Sequence, residues 1–148
     1  MRDLPRQLTA DELAELFEGR TRFVELLADR EDPLGPAADE VAGELSEAEK
    51  LEAVSAHPAI GARNLSERSA AEQGPEADAA TLTELAYLNQ VYEEKFGFRF
   101  VVFVDRRPKA ELIPVLHERL ERTREEELET AMSELIAIAR NRWSAAPG

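Results

Sequence analysis

His57 stands directly before Pro58, and of the two histidines in this 148-residue chain it is the better placed for proton chemistry. Proline pushes the preceding residue out of the helical region, so His57 is predicted at a helix exit and not along a packed face. An imidazole titrates near neutrality, and a carboxylate such as Glu72, 15 residues on, would orient the ring and tune its pKa. On its own such a pair is not specific. A second polar residue emerges from periodicity: Arg142 lies four positions beyond Ile138 on the stripe Leu128, Ala131, Leu135, Ile138, so the last helix ends by pointing a guanidinium toward its own core-facing stripe. Two readings stand for it. Either the side chain snorkels to water or serves the helix dipole, or it walls an anion site, its planar fork gripping a carboxylate or a ureido carbonyl. Asn89 likewise interrupts an apolar stripe, Leu82, Leu85, Tyr92, Phe96, and must find partners inside the protein or face a pocket. His117, near Leu116 and Leu120 of an amphipathic helix, reads as structural or surface.

The elements that must position these residues read as a succession of helices. Thr9-x-x-Glu12 is a capping-box pattern opening a helix with Leu13, Leu16 and Phe17 on its apolar side. A break near Gly19 leads to a second segment carrying Phe23, Leu26 and Leu27. Residues 29–43 are turn-rich, with Pro33, Gly35 and Pro36, and have room for one short helix. Ser46-x-x-Glu49 opens the helix through Leu51 and Val54 that should stop before His57. Residues 59–77 are poor in apolar side chains and have the composition of a surface loop. A long helix follows from about Asp78 to Lys95, stopping at Gly97. Phe98–Val104 has strand composition, yet nothing else resembles a strand to pair with it, so it reads as a short extended segment with some backbone groups left for a ligand or partner. After a turn at Asp105–Pro108 comes a helix with Ile113, Leu116 and Leu120, where Pro114 requires a late start or a kink. Thr123-x-x-Glu126 opens the last helix.

Composition bounds what such a chain does. Its length suits a single domain spanning residues 1–148, enough to bury roughly 68–70% of the unfolded surface. It is 43% hydrophobic and 33% charged, with no apolar run near the ~18–20 residues a membrane span needs. No apolar signal-peptide core is present in the first residues, and the expected location is cytoplasmic. With no cysteine, thiol catalysis, disulfides and thiolate metal sites are excluded. A net charge of −13 argues against nucleic acid as a partner but not against a small anion in a locally positive pocket. No metal is expected, because the two histidines lie 60 residues apart without a carboxylate cluster.

Taken in order, HPAIG, SAAEQ, YLNQVYEEKFGFRFVV, EELETA and IARNRW resemble the OHCU decarboxylase family, the 2-oxo-4-hydroxy-4-carboxy-5-ureidoimidazoline decarboxylases of urate breakdown. The likeness is strongest over residues 50–143, and it is the joint pattern that is specific. It implies an all-α, single-domain multi-helix bundle with one short extended segment after the long central helix. It also implies a homodimer acting on an anionic ureidoimidazoline with no metal or organic cofactor. By resemblance, His57 and Glu72 are the catalytic residues. Pro58, Ser69, Gln73, Asn89, Arg142 and the backbone of Phe100, Val101 and Val102 contact substrate. The chain departs from the family pattern at Arg99, where proline is common, in the short interval from His57 to Glu72, and in Gly74–Ala77 after the Glu-Gln pair. These departures bear on which acid is accepted more than on the fold.

The implied substrate carries a hydroxyl and a carboxylate on one carbon beside a ring C=N. That imine accepts the electron pair left by departing CO2, so no cofactor is needed as electron sink. The protein must bind the anion, hold the C–CO2 bond perpendicular to the C=N plane and manage protons. Arg142, Gln73 and Ser69 would bind and orient, His57 would meet the hydroxyl or carboxylate, and Glu72 would fix the histidine's tautomer. Both Glu72 and a helix C-terminus favour the imidazolium. The product would be (S)-allantoin. Two other readings are weighed: a decarboxylase-like enzyme for a related ureido or imidazoline acid, and a catalytically inactive helical interaction module.

Overall fold

The computed structural model describes residues 3–57 and 78–145. Among them are seven α-helices: α1 (Ala10–Phe17), α2 (Arg22–Ala28), α3 (Pro36–Glu44), α4 (Glu47–Ala56), α5 (Ala79–Phe96), α6 (Leu112–Leu120) and α7 (Arg124–Ala145). One 3-10 turn, Lys109–Glu111, precedes α6, and no strand is present among the described residues. The fold is all-α, as the sequence predicts. Contacts divide the chain into two compact units, residues 1–57 with 128–148, and residues 58–127.

In the first unit, the predicted caps form. Thr9 accepts from the Glu12 N–H while Glu12 reaches back to the Thr9 N–H, satisfying two donors that a helix start leaves unpaired. Ser46 and Glu49 do the same for α4, and hydrogen bonding from Ser46, its backbone N–H first, holds the Glu49 carboxyl below its ordinary pKa. The turn-rich stretch does hold one short helix, α3, with Pro36 in its first turn, where a missing N–H costs nothing. Helix α2 packs against α1, α3 and α4, and Phe17 meets Phe23 edge-on with ring centroids 5.2 Å apart. Two details differ from expectation. Val24, not Leu26, joins Phe23 and Leu27 in the buried face of α2. The break after α1 uses Glu18, not Gly19, as its left-handed residue (φ 65°). Gly19 serves close approach instead: a Cβ there would lie 3.0 Å from the Ala56 Cβ.

In the second unit, α5 is capped by Asp78 and ended by Gly97 at φ 80°, a conformation that suits a residue without Cβ. Its buried face is Leu85, Leu88, Tyr92 and Phe96; Leu82 is exposed, which corrects the predicted stripe by rotating it toward Leu88. Tyr92 is the hub of an aromatic cluster with Phe96, Phe98 and Phe100, at centroid distances of 4.6, 5.9 and 5.3 Å. Residues 99–104 adopt neither helix nor strand. They end in the predicted turn, where Asp105 and Arg106 both have positive φ and Arg107 N–H bonds the Val104 carbonyl at 3.1 Å, as in a type I′ turn. Helix α6 starts late, so Pro114 falls in its first turn and no kink is needed. Its buried residues are Leu112, Leu116 and, unexpectedly, Arg119; Ile113 and Leu120 are half-buried.

Candidate active site

Helix α4 delivers His57 as anticipated. His57 is the C-cap, with φ −84° and ψ 136°, the extended conformation a following proline demands. Its N–H still bonds the Val54 carbonyl at 3.2 Å, and the residue is 8% exposed. The imidazole thus leaves a helix C-terminus, where the dipole favours a cation, and is largely withdrawn from water.

Helix α7 delivers Arg142. The stripe Leu128, Ala131, Leu135, Ile138 and Arg142 is buried along its whole length. The guanidinium does not snorkel: its side chain is fully buried. Nη1 donates to the Leu16 carbonyl at 2.8 Å and Nη2 pairs with Glu18 at 3.1 Å. Both partners lie at the C-terminal end of α1, where unpaired carbonyls and the dipole attract positive charge. Through these contacts it serves the dipole of α1. Glu18 is followed by Gly19, whose backbone abuts Ala56, the residue before His57. His57 and Arg142 thus belong to one unit, Arg142 on the end of α1 and His57 next in sequence to Ala56, which meets Gly19.

Pro58, Ser69, Glu72 and Gln73 lie outside the described residues. Asn89, half-buried on α5, and Phe100, Val101 and Val102, all buried, belong to the second unit. No group of three or more metal-ligating side chains occurs among the described residues.

The second unit holds a polar cluster that periodicity alone passes over. Glu127 is fully buried and accepts from Tyr92 Oη at 2.6 Å, Arg119 Nε at 2.6 Å and Arg122 Nη1 at 3.1 Å. Arg119 also donates from Nη1 to the Val101 carbonyl at 2.8 Å and lies 4.8 Å above the Phe100 ring. Around it, Arg124 donates to the Phe96 carbonyl at 2.8 Å and Lys95 bonds the Leu120 carbonyl, so the ends of α5 and α6 are capped by cations. The available signal was positional: Arg119 follows Leu112 and Leu116 at steps of four and three, on the buried face of α6.

Burial first, and then the bond to Glu127, push the Tyr92 phenol well above its ordinary pKa, against the opposing pull of Arg119. Its unfolded value is about 10. The stabilising contribution is therefore complete below about pH 10 and is lost as pH rises toward the folded value. Melting temperature should fall on the alkaline side, and Tyr92→Phe should flatten that limb while lowering stability at pH 7 by about 1.5–3 kcal/mol, the contribution of a hydrogen bond to a charged group. Thermal melts of both proteins from neutral to alkaline pH check this; parallel alkaline limbs would contradict it.

A family model described as OHCU decarboxylase matches residues 2–144. The chain is 38% identical over 104 residues to the uric acid degradation bifunctional protein TTL of Arabidopsis thaliana, covering 64% of this chain and 32% of that one. It is 28% identical over 147 residues to a uric acid degradation bifunctional protein of a Bacillus species, covering 90% of this chain and 29% of that one. With the 2-oxo-4-hydroxy-4-carboxy-5-ureidoimidazoline decarboxylase of Haloferax volcanii it shares 32% identity over 115 residues, 73% of this chain and 67% of the other. It thus spans about a third of the length of the two bifunctional relatives. Among solved structures, an OHCU decarboxylase crystallised in the presence of (S)-allantoin superposes with a TM-score of 0.74 at 29% identity, covering 90% of this chain and 95% of that one. Helix order and this superposition define an all-α domain with the fold of that structure. The chain belongs to the OHCU decarboxylase family.

Proposed function

We propose that this chain decarboxylates 2-oxo-4-hydroxy-4-carboxy-5-ureidoimidazoline to (S)-allantoin in urate breakdown. The observation that carries the reading is the burial of His57 and Arg142 within one unit, in a chain whose family match runs almost its full length. Arg142 is held by α1 in a fixed plane, which suits a guanidinium that orients a planar anion. His57, at its helix exit, acts on the hydroxyl or carboxylate of the reacting carbon, with Glu72 fixing its tautomer. As the C–CO2 bond breaks, its electron pair passes into the adjacent C=N, and a proton is then taken up at carbon. Ser69, Gln73, Pro58, Asn89 and the backbone of Phe100, Val101 and Val102 complete the contacts.

The 148 residues act as one domain, a reading supported by a single family model over 2–144. The protein works as a cytoplasmic homodimer; in keeping with a location off the bilayer, no described helix is long and apolar enough to cross a membrane. The test is the rate at which freshly generated OHCU disappears, compared with related ureido and imidazoline acids. Acceleration well above spontaneous decay, greatest for OHCU, is expected. A preference for a related acid would reassign the substrate, and no acceleration at all would mark an interaction module.

A further inference from the structure

We infer that Arg119 is a positioning residue for substrate recognition, and that the atom it aims is the backbone N–H of Val102. The inference rests on the reading above, in which the backbone of Phe100–Val102 meets substrate.

The geometry begins with the Val101 carbonyl, which accepts from Arg119 Nη1 at 2.8 Å. In a trans peptide the carbonyl and the following N–H share a plane and point opposite ways, and none of the described peptide bonds is cis. Fixing the Val101 carbonyl on Arg119 therefore turns the Val102 N–H away from Arg119. No backbone hydrogen bond engages the N–H groups of Phe100, Val101 or Val102 among the described residues, although all three residues are buried. Donors of buried residues, without backbone partners among the described residues, are what a polar ligand can read.

Arg119 is itself over-determined. Its Nε is tied to the fully buried Glu127, which is held in turn by Tyr92 and Arg122. Its face lies over Phe100, the residue before Val101. Nη2, by contrast, is buried without a hydrogen-bond partner among the described residues. The guanidinium is thus oriented by Glu127 and Val101, with one of its own donors left unmatched. A lysine could keep the ion pair with Glu127, but as a point charge it cannot also hold the Val101 carbonyl in the same plane.

The test compares Arg119→Lys with the unsubstituted chain by steady-state kinetics on OHCU and by amide NMR with (S)-allantoin as probe. In the unsubstituted chain the Val102 amide should shift on titration with (S)-allantoin. In Arg119→Lys, at a temperature where circular dichroism shows it folded, KM should rise about 10–100-fold, the scale of a small misplacement of a binding group. The Val102 shift should be lost while the amides of α5 keep their positions. Glu127→Gln, which loosens Arg119 without touching Val101, should move KM in the same direction by less. A folded Arg119→Lys with unchanged KM and an unchanged Val102 response overturns the inference. If the unsubstituted chain does not turn over OHCU but its Val102 amide still answers a ureido ligand in an Arg119-dependent way, the proposed reaction fails and the positioning role stands. A Val102 amide that answers neither ligand overturns the role.

Discussion

His57→Ala should lower kcat for OHCU by about 10²–10⁴-fold, the range that a positioned acid–base group contributes, in a variant that remains folded. The second half follows from where the residue sits. His57 ends α4 as its C-cap, and the backbone bond to the Val54 carbonyl does not need the imidazole. Truncation therefore removes a side chain at a helix exit, with the α4 capping box intact at the other end. A folded variant with near-normal decay of OHCU would remove His57 from the mechanism. Stopped-flow absorbance on freshly generated substrate, with a thermal melt alongside, separates the two outcomes.

Arg142→Ala should act on both binding and stability. A contact that grips the substrate and orients it raises KM and lowers kcat together. Arg142 is also structural: it joins α7 to the Leu16 carbonyl and to Glu18. Losing a buried hydrogen bond from a charged donor costs about 1.5–3 kcal/mol. Glu18 is 20% exposed and can be rehydrated, which keeps the loss below that for a fully buried pair. Most domains tolerate that much, so the variant should melt lower yet remain folded at room temperature. Arg142→Lys should recover stability more than activity, because an ammonium can pair with Glu18 but lacks the planar fork. Recovery of both together, or an unchanged KM in Arg142→Ala, would make Arg142 a structural tie alone.

Helix ends were the most legible part of this sequence. Thr9, Ser46 and Thr123, each with a glutamate three residues on, give reciprocal hydrogen bonds that depend only on local spacing. Asp78 and Gly97 bracket α5 for similarly local reasons. His57 at a helix exit follows from the proline beside it, and the burial of Arg142 follows from its place on the stripe of α7. What periodicity does not contain is the partner across space. That Arg142 lands on the end of α1 depends on tertiary packing, 126 residues away in sequence. The Glu127–Arg119 pair escapes periodicity because charged residues are assigned to the surface by default, and only their mutual neutralisation, with Arg122 and a hydrogen bond from Tyr92, makes their burial tolerable. The face of α5 escapes periodicity for another reason. Leu82 and Leu88 each lie three residues from Leu85, and it is Leu88 that tertiary packing buries.

The measurement that bears most directly on the whole account is the handedness of the product. With enzyme in excess and OHCU freshly made, circular dichroism at complete conversion should give the signal of (S)-allantoin alone, because in the proposed site His57 and Arg142 would present one face of the ring to the proton. Racemic allantoin, formed at the spontaneous rate, would contradict it.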